Sequence, residues 1–598
     1  MCLFGFTVIF SGCSLWTLNT NKYLNQVVAS YGDITVTLEE TYNAYRSYGN
    51  YYYDNRGDVT FNGVEQTAKQ LLNKKILVKE LKNKDSSLYI KLNQTELNKV
   101  WQNVYDSFNS SILTLEKKLL SADNKSLSAD IPSESSSTTT KTGYEKDYEE
   151  YTKTYTYSYN EETGKYELTK QDTTESIETS SKDVYKFTTE ELGGKTLEEK
   201  LATMTTKEKA TLVLNNFKEY FWDSKSHTQT NNNGEKYSEK AFNKLIANLK
   251  ANETGKDLSK DSEEVFYREF TRLYGEYYDS ALLTKLQNNF NKTDVISENL
   301  VLDTYRRLVI DQNTNFSKRK IVDGTLTYEN YEKEMKSRTA PILSKINNDW
   351  FQVSHVLLKY DDSIVNQIKA EKAKLEKDSI TLSTYLTNVT QIKNSAKFTD
   401  RATGKSYSAN DVLKLMTEEI SQCGTSYAKI QKFNEFIYRF NMDDGVNNAE
   451  YPYSIPTDSS KDQMVKPFAD ESRRLHDSGQ IGAISSLIKY GYAEDDTLDS
   501  DVIEHASNYS GFHIIIYLGE FASVPDKNSA TLAELNDFVL NPLNNNSTNR
   551  KTLLDYVIEQ TSYSNYSAYE SSLLSNLKND GTVNIYNSVI DQIVKAFQ

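Results

Sequence analysis

Gly511-Phe512-His513-Ile514-Ile515-Ile516-Tyr517-Leu518-Gly519-Glu520-Phe521 is the stretch on which the reading of this chain turns, together with its shorter counterpart Ser354-His355-Val356-Leu357-Leu358-Lys359-Tyr360. Each is an aliphatic, partly β-branched run of strand length, and each reads as a buried strand. Each also carries a histidine, in a chain that has only five. A buried imidazole must satisfy two ring nitrogens, so one in each of two core strands is unusual. Strand alternation places Val353, His355 and Leu357 on one face, and His513, Ile515 and Tyr517 on one face. Two unrelated core histidines would satisfy this pattern as well, and the residues between the strands bear on the choice.

That intervening sequence contains QMVKPFADESRRLHDSGQIG (Gln463 to Gly482), in which a helix starts after a Met-x-x-Pro-Phe turn and ends at a glycine. It resembles the corresponding stretch of parvulin-type peptidyl-prolyl isomerases. SHVLLKY resembles that family's first strand and SGFHIII its last, and the three blocks occur in the family's order over roughly residues 350–522. The resemblance implies a small antiparallel sheet flanked by helices, within residues 349–525. His355 and His513 then match the two family histidines, which face each other across adjacent strands. Met464 and Phe468 match the apolar residues of the proline pocket. Asp443, in FNMDDG, matches a family Asp or Cys that can orient a histidine, although a turn-forming aspartate before Gly445 accounts for it nearly as well. These three polar residues are the candidate catalytic set, and both histidines are expected to be neutral at pH 7, bonded to each other or to Asp443.

The chain departs from the family pattern where a Gly-Gly-Asp-Leu-Gly block is usual. Here Val446-Asn447-Asn448-Ala449-Glu450-Tyr451 follows, and either Tyr451 or Tyr453 supplies the apolar residue. The acidic loop AEDDTLDSDVIEHASNYS before the last strand is longer than in the family. His476 and His505 sit in polar contexts and are expected to be solvated.

Outside this region the composition sets the frame. At 598 residues the chain is too long for one core. Seven prolines favour long helices, and 43 tyrosines supply apolar area where leucine and valine are scarce. A net charge of −15 without a basic stripe argues against nucleic acid as a partner. The N-terminal run MCLFGFTVIFSGCSLW has the length of a signal-peptide core and ends in Ile9-Phe10-Ser11-Gly12-Cys13, similar to a bacterial lipobox with Phe10 in place of the usual Leu. A lipid on Cys13 would anchor the chain to the outer face of a membrane. A buried N-terminal strand with an incidental cysteine is the alternative. Cys423 then remains alone, as a small core or helix-end residue, with neither a disulfide framework nor a metal site.

Six segments follow. Residues 1–13 read as a lipoprotein signal and 14–121 as a helical segment similar to the start of extracytoplasmic foldases of the PrsA and SurA type. Within it, Val27-Val28-Ala29 form a strand before the Gly32-Asp33 turn, Thr37-Leu38-Glu39-Glu40 open a helix, and Leu71, Leu72, Ile76, Leu77 and Leu81 share one helical face. Residues 122–187 are Ser/Thr/Tyr/Glu-rich, a flexible insertion with one marginal hairpin around Asn-Glu-Glu-Thr-Gly. Residues 188–348 are helical, with Phe266, Phe270, Leu273, Tyr274 and Tyr277 as a packing stripe. The 349–525 domain and a short helical tail, 526–598, complete an α+β chain: a mostly helical, chaperone-like body with an inserted or appended parvulin-like domain.

The function this implies is a membrane-anchored extracytoplasmic foldase that binds newly exported, unfolded polypeptides and isomerises X-Pro bonds, needing no cofactor or metal. A non-catalytic chaperone with a degenerate parvulin domain, and a surface-exposed binding lipoprotein, are the rivals. Oligomeric state is not readable from the sequence.

Overall fold

A computed structural model describes residues 24–49, 59–122, 148–160, 165–178, 203–218, 230–231, 233–252, 262–322, 325–447, 451–491, 510–544, 551–578 and 581–597. Cys13 and the signal-like segment, the acidic loop with His505, and most of 122–187 lie outside them. The chain is α+β, predominantly helical with small antiparallel sheets. It divides into two compact units, one of Met1–Thr154, Gln171–Asp294 and Ser564–Gln598, the other of Tyr155–Lys170 and Val295–Tyr563.

In the first unit, β1 (Val27–Tyr31) and β2 (Ile34–Thr37) form a hairpin whose Gly32 has φ +56°. A glycine tolerates that value freely. Thr37 then caps helix Leu38–Ala44 in a reciprocal box with Glu40. Helix Phe61–Lys82 buries Leu72, Ile76, Leu77 and Leu81, the expected face, with Leu71 partly covered. The aromatic stripe of helix Ser262–Thr293 packs as expected, Phe270 against Trp101 with ring centroids 4.7 Å apart. A hairpin is present where one is expected, as β3 (Tyr148–Asn160) paired with β4 (Lys165–Glu178), its residues divided between the two units.

The C-terminal residues are largely helical, as expected, but one helix runs for 25 residues. The Asn/Ser/Tyr-rich stretch continues helix Leu553–Leu577, opened by Thr552 and Asp555 in a mutual cap, and its Tyr569 stacks on Phe290 at 4.6 Å. Tyrosine supplies the apolar face that the lack of leucine conceals. Beyond it, the two-residue strand Asn584–Ile585 pairs with β1, Ala29 opposite Ile585, and helix Asn587–Phe597 buries Ile590 and Ile593 in the same core.

The second unit holds β5 (Lys320–Val322) with β6 (Thr325–Thr327) as a small ribbon, and a four-stranded antiparallel sheet. Its strands are β7 (Trp350–Lys359), β10 (Tyr453–Pro456), β11 (Ile488–Tyr490) and β12 (Gly511–Glu520), in the order β10-β7-β12-β11. Between β7 and β10 run helices Asp362–Glu376, Leu382–Ser395, Ala409–Ser421 and Ser426–Phe440 and the ribbon of β8 (Phe398–Thr399) and β9 (Ser406–Tyr407). These helices cover one face of the sheet, where Val356, Leu358, Ile514 and Ile516 meet Phe433 and Phe436. Helix Lys466–Asp477 covers the other face, where Phe351, Val353, Ile515 and Tyr517 meet Phe468 and Leu475. Two glycines fit β12 to β7. A β-carbon at Gly511 would lie 2.2 Å from the Leu358 carbonyl oxygen, and Gly519 takes φ +111° where the register shifts in a bulge after Tyr517.

Candidate functional site

The register sets the site. His355 stands opposite Ile515 and His513 opposite Leu357, so the two histidines are diagonal neighbours on adjacent strands. Both point to the face covered by helix Lys466–Asp477. Their rings meet edge to face with centroids 4.9 Å apart, and they are 3% and 4% exposed. Phe468, in the first turn of that helix beside Pro467, lies edge-on to both, at 5.1 Å from His355 and 5.2 Å from His513. Met464 packs at the margin of the same apolar cluster.

Asp443 comes from beyond helix Ser426–Phe440, and the residue that aims it is Asn441. Fully buried, Asn441 accepts from the Leu357 N–H at 2.8 Å and donates from Nδ2 to the Asp443 carbonyl at 3.0 Å. The Met442 N–H adds a bond to the Leu357 carbonyl. The chain is thereby tied to β7 two residues beyond His355, and Asp443 Oδ2 comes 3.0 Å from His355 Nε2. The approach is a close electrostatic contact whose angle is too oblique for an aligned hydrogen bond. Asp443 also accepts from the Tyr453 hydroxyl and the Gly445 N–H, each at 2.8 Å.

Of the two tyrosines left open by the sequence, Tyr453 belongs to the site and Tyr451 packs elsewhere, in the cluster of Leu343 and Leu535. The Tyr453 ring lies nearly parallel to His355, 16° apart with centroids at 5.3 Å. Arg338 completes the group, its guanidinium 3.7 Å from the Tyr453 ring centroid. Neither Asn441 nor Arg338 was marked in the sequence. Asn441 looks like an ordinary helix-end residue, and Arg338 lies before the stretch that resembles parvulins.

Burial decides the electrostatics. It pushes both imidazoles below their ordinary range, His513 down to about 3, the neighbouring His355 adding to the shift. Burial also raises the Asp443 carboxyl, but His355, the Tyr453 hydroxyl and the Gly445 amide outweigh it and hold the group well below the usual carboxylate range. Tyr453 is pushed up to about 12 by burial and by the Asp443 charge. The resting state is a pair of neutral imidazoles beside a carboxylate and a protonated phenol.

His476 departs from its expected solvated state. Its ring stacks on Phe351 at 4.4 Å, and Nε2 lies 2.8 Å from Glu520 Oε1. The apolar body of the ring covers the end of the sheet while its nitrogens reach charged groups. Cys423 sits just past helix Ala409–Ser421, its N–H bonded to the Ile420 carbonyl, a helix-end position.

No protein-family model, curated protein or solved structure matches the chain. Among the described residues no helix is long and apolar enough to cross a membrane.

Proposed function

We propose that the chain is an extracytoplasmic foldase, anchored by a lipid on Cys13, that binds unfolded exported polypeptides and isomerises X-Pro bonds at the histidine site. The observation that carries this reading is the convergence of His355, His513, Asp443 and Phe468, from separate parts of the sequence, onto one face of one small sheet. The resemblance to parvulins predicts that convergence. A pair of unrelated core histidines does not.

The chemistry asks little of the protein. Prolyl rotation meets a barrier of roughly 20 kcal/mol because amide resonance is lost in the twisted state. No covalent bond forms or breaks. An apolar surface that holds the proline ring, with few competing donors to the carbonyl, favours the twisted form. Phe468 and Met464 supply the apolar surface. Asp443 and Tyr453 fix the orientation of His355, whose neutral ring adds polarity without charge.

A second reading keeps client binding and drops catalysis. It is favoured by the closure of the site: Phe468 is 2% exposed, so a prolyl ring reaches it only if a neighbour moves. One experiment separates the two. Exchange spectroscopy on a short X-Pro peptide, with catalytic amounts of the full chain, is expected to show accelerated cis/trans exchange. Client binding without any acceleration would leave the chaperone reading.

A further inference from the structure

We propose that Arg338 is a positioning residue, a latch that holds Tyr453 over His355 and so governs access to the histidine pair. The proposal deepens the reading above, since the gated site is the same, but the latch itself can be tested without it.

Arg338 ends helix Glu329–Ser337 with φ 57° and ψ 25°. This left-handed conformation is one that a residue with a β-carbon adopts at a cost, and glycine is the usual occupant of such a helix end. Here the turn delivers a guanidinium to the site. Its Nε donates to the Tyr451 carbonyl at 3.0 Å and its Nη2 to the Gly445 carbonyl at 2.7 Å, while its carbon lies 3.7 Å from the centre of the Tyr453 ring. One planar, forked cation thus ties together the residue two after Asp443 and the residue two before β10. Lysine offers a point charge and no fork.

The residue being covered gives the second observation. His355 Nδ1 is buried and accepts or donates no hydrogen bond among the described residues. A buried imidazole nitrogen left this way disfavours the closed arrangement. Movement of the groups packed around this ring, with Tyr453 stacked on its face, would let Nδ1 meet water or a peptide. The closed state therefore needs a restraint; beside the Tyr453 hydroxyl bond to Asp443 and the pairing of Tyr453 with Val353, Arg338 supplies one by bonding two carbonyls of the chain that leads into β10. Strain at residue 338 and an unmet nitrogen at residue 355 are the two ends of one device.

Diethyl pyrocarbonate, which modifies accessible neutral imidazoles, tests the latch on the full chain, with labelling at each histidine followed by mass spectrometry. Wild-type His355 is expected to react much more slowly than His476. Arg338→Ala should speed labelling at His355 about tenfold, the effect of ~1.4 kcal/mol on an opening equilibrium, and leave His476 unchanged. Arg338→Lys should fall between them, and it decides the matter if the alanine variant fails to fold by circular dichroism. An unchanged His355 rate in a folded variant overturns the latch. Prolyl exchange measured on the same samples keeps the two claims apart. Faster labelling with no catalysis in any sample supports the latch and removes the isomerase, whereas catalysis with unchanged labelling does the reverse.

Discussion

At position 513 a single imidazole ties the site to the solution pH. The unfolded histidine titrates near 6.5 and the buried one near 3, so between these values the unfolded chain binds more protons. Stability from this residue is fully present above pH ~6.5 and is lost as pH falls towards 3, by about 1.4 kcal/mol per pH unit. Asp443 does not mask the effect, because its depressed carboxyl contributes stability that is lost only below the ordinary range near 3.8. Urea unfolding of the full chain between pH 6 and 4 should therefore lose up to that slope in a His513→Gln variant, and equal slopes would mean that His513 is solvated. The legibility of the site also divides at this scale. His355, His513, Asp443 and Phe468 are legible in the sequence because each sits in a motif with a fixed neighbour pattern. Asn441 and Arg338 act through backbone carbonyls and amides, which any polar side chain can reach, so no residue pattern announces them.

At the scale of elements, the site depends on how closely β12 can approach β7. The Gly511–Leu358 contact allows no β-carbon, since the 2.2 Å separation is far inside van der Waals distance. Gly511→Ala should force the strands apart at the end that carries His513 and lower stability by roughly 1–3 kcal/mol, the usual cost of overpacking. Hydrogen exchange is the measurement: protection should fall in β12 and β11 and stay unchanged in β1 and β2. Uniform protection across β12 would show that the strand accommodates the methyl group. The long strands and amphipathic helices were legible because their periodicity persists over several turns or alternations. Short elements such as β11 and the Asn584–Ile585 strand were not, since two or three residues carry no period and their pairing is set by partners far away in sequence. The Tyr-rich stretch after Leu553 falls within the expected helical tail, but the length of its helix is harder to read because its apolar face is built from tyrosine.

On the scale of the whole molecule, the α+β class followed from alternating helical and strand patterns, whereas the meeting of the two chain ends in one sheet did not, because β1 and Ile585 are joined only by tertiary pairing. The proposed lipid anchor belongs to this scale as well. Cys13→Ala should move the protein from the membrane fraction to the medium, and unchanged membrane retention would remove the anchor from the account. The central claim is that X-Pro segments are handled at His355 and His513. The five histidines make this directly measurable, since imidazole signals of the full chain are few enough to assign singly by nuclear magnetic resonance. On titration with a short X-Pro peptide, the account predicts shifts at His355 and His513, none at His227, which lies outside the parvulin-like stretch in sequence, and loss of the response in Phe468→Ala. Shifts confined to His227 or His505, or none at any histidine while the peptide binds, would contradict it.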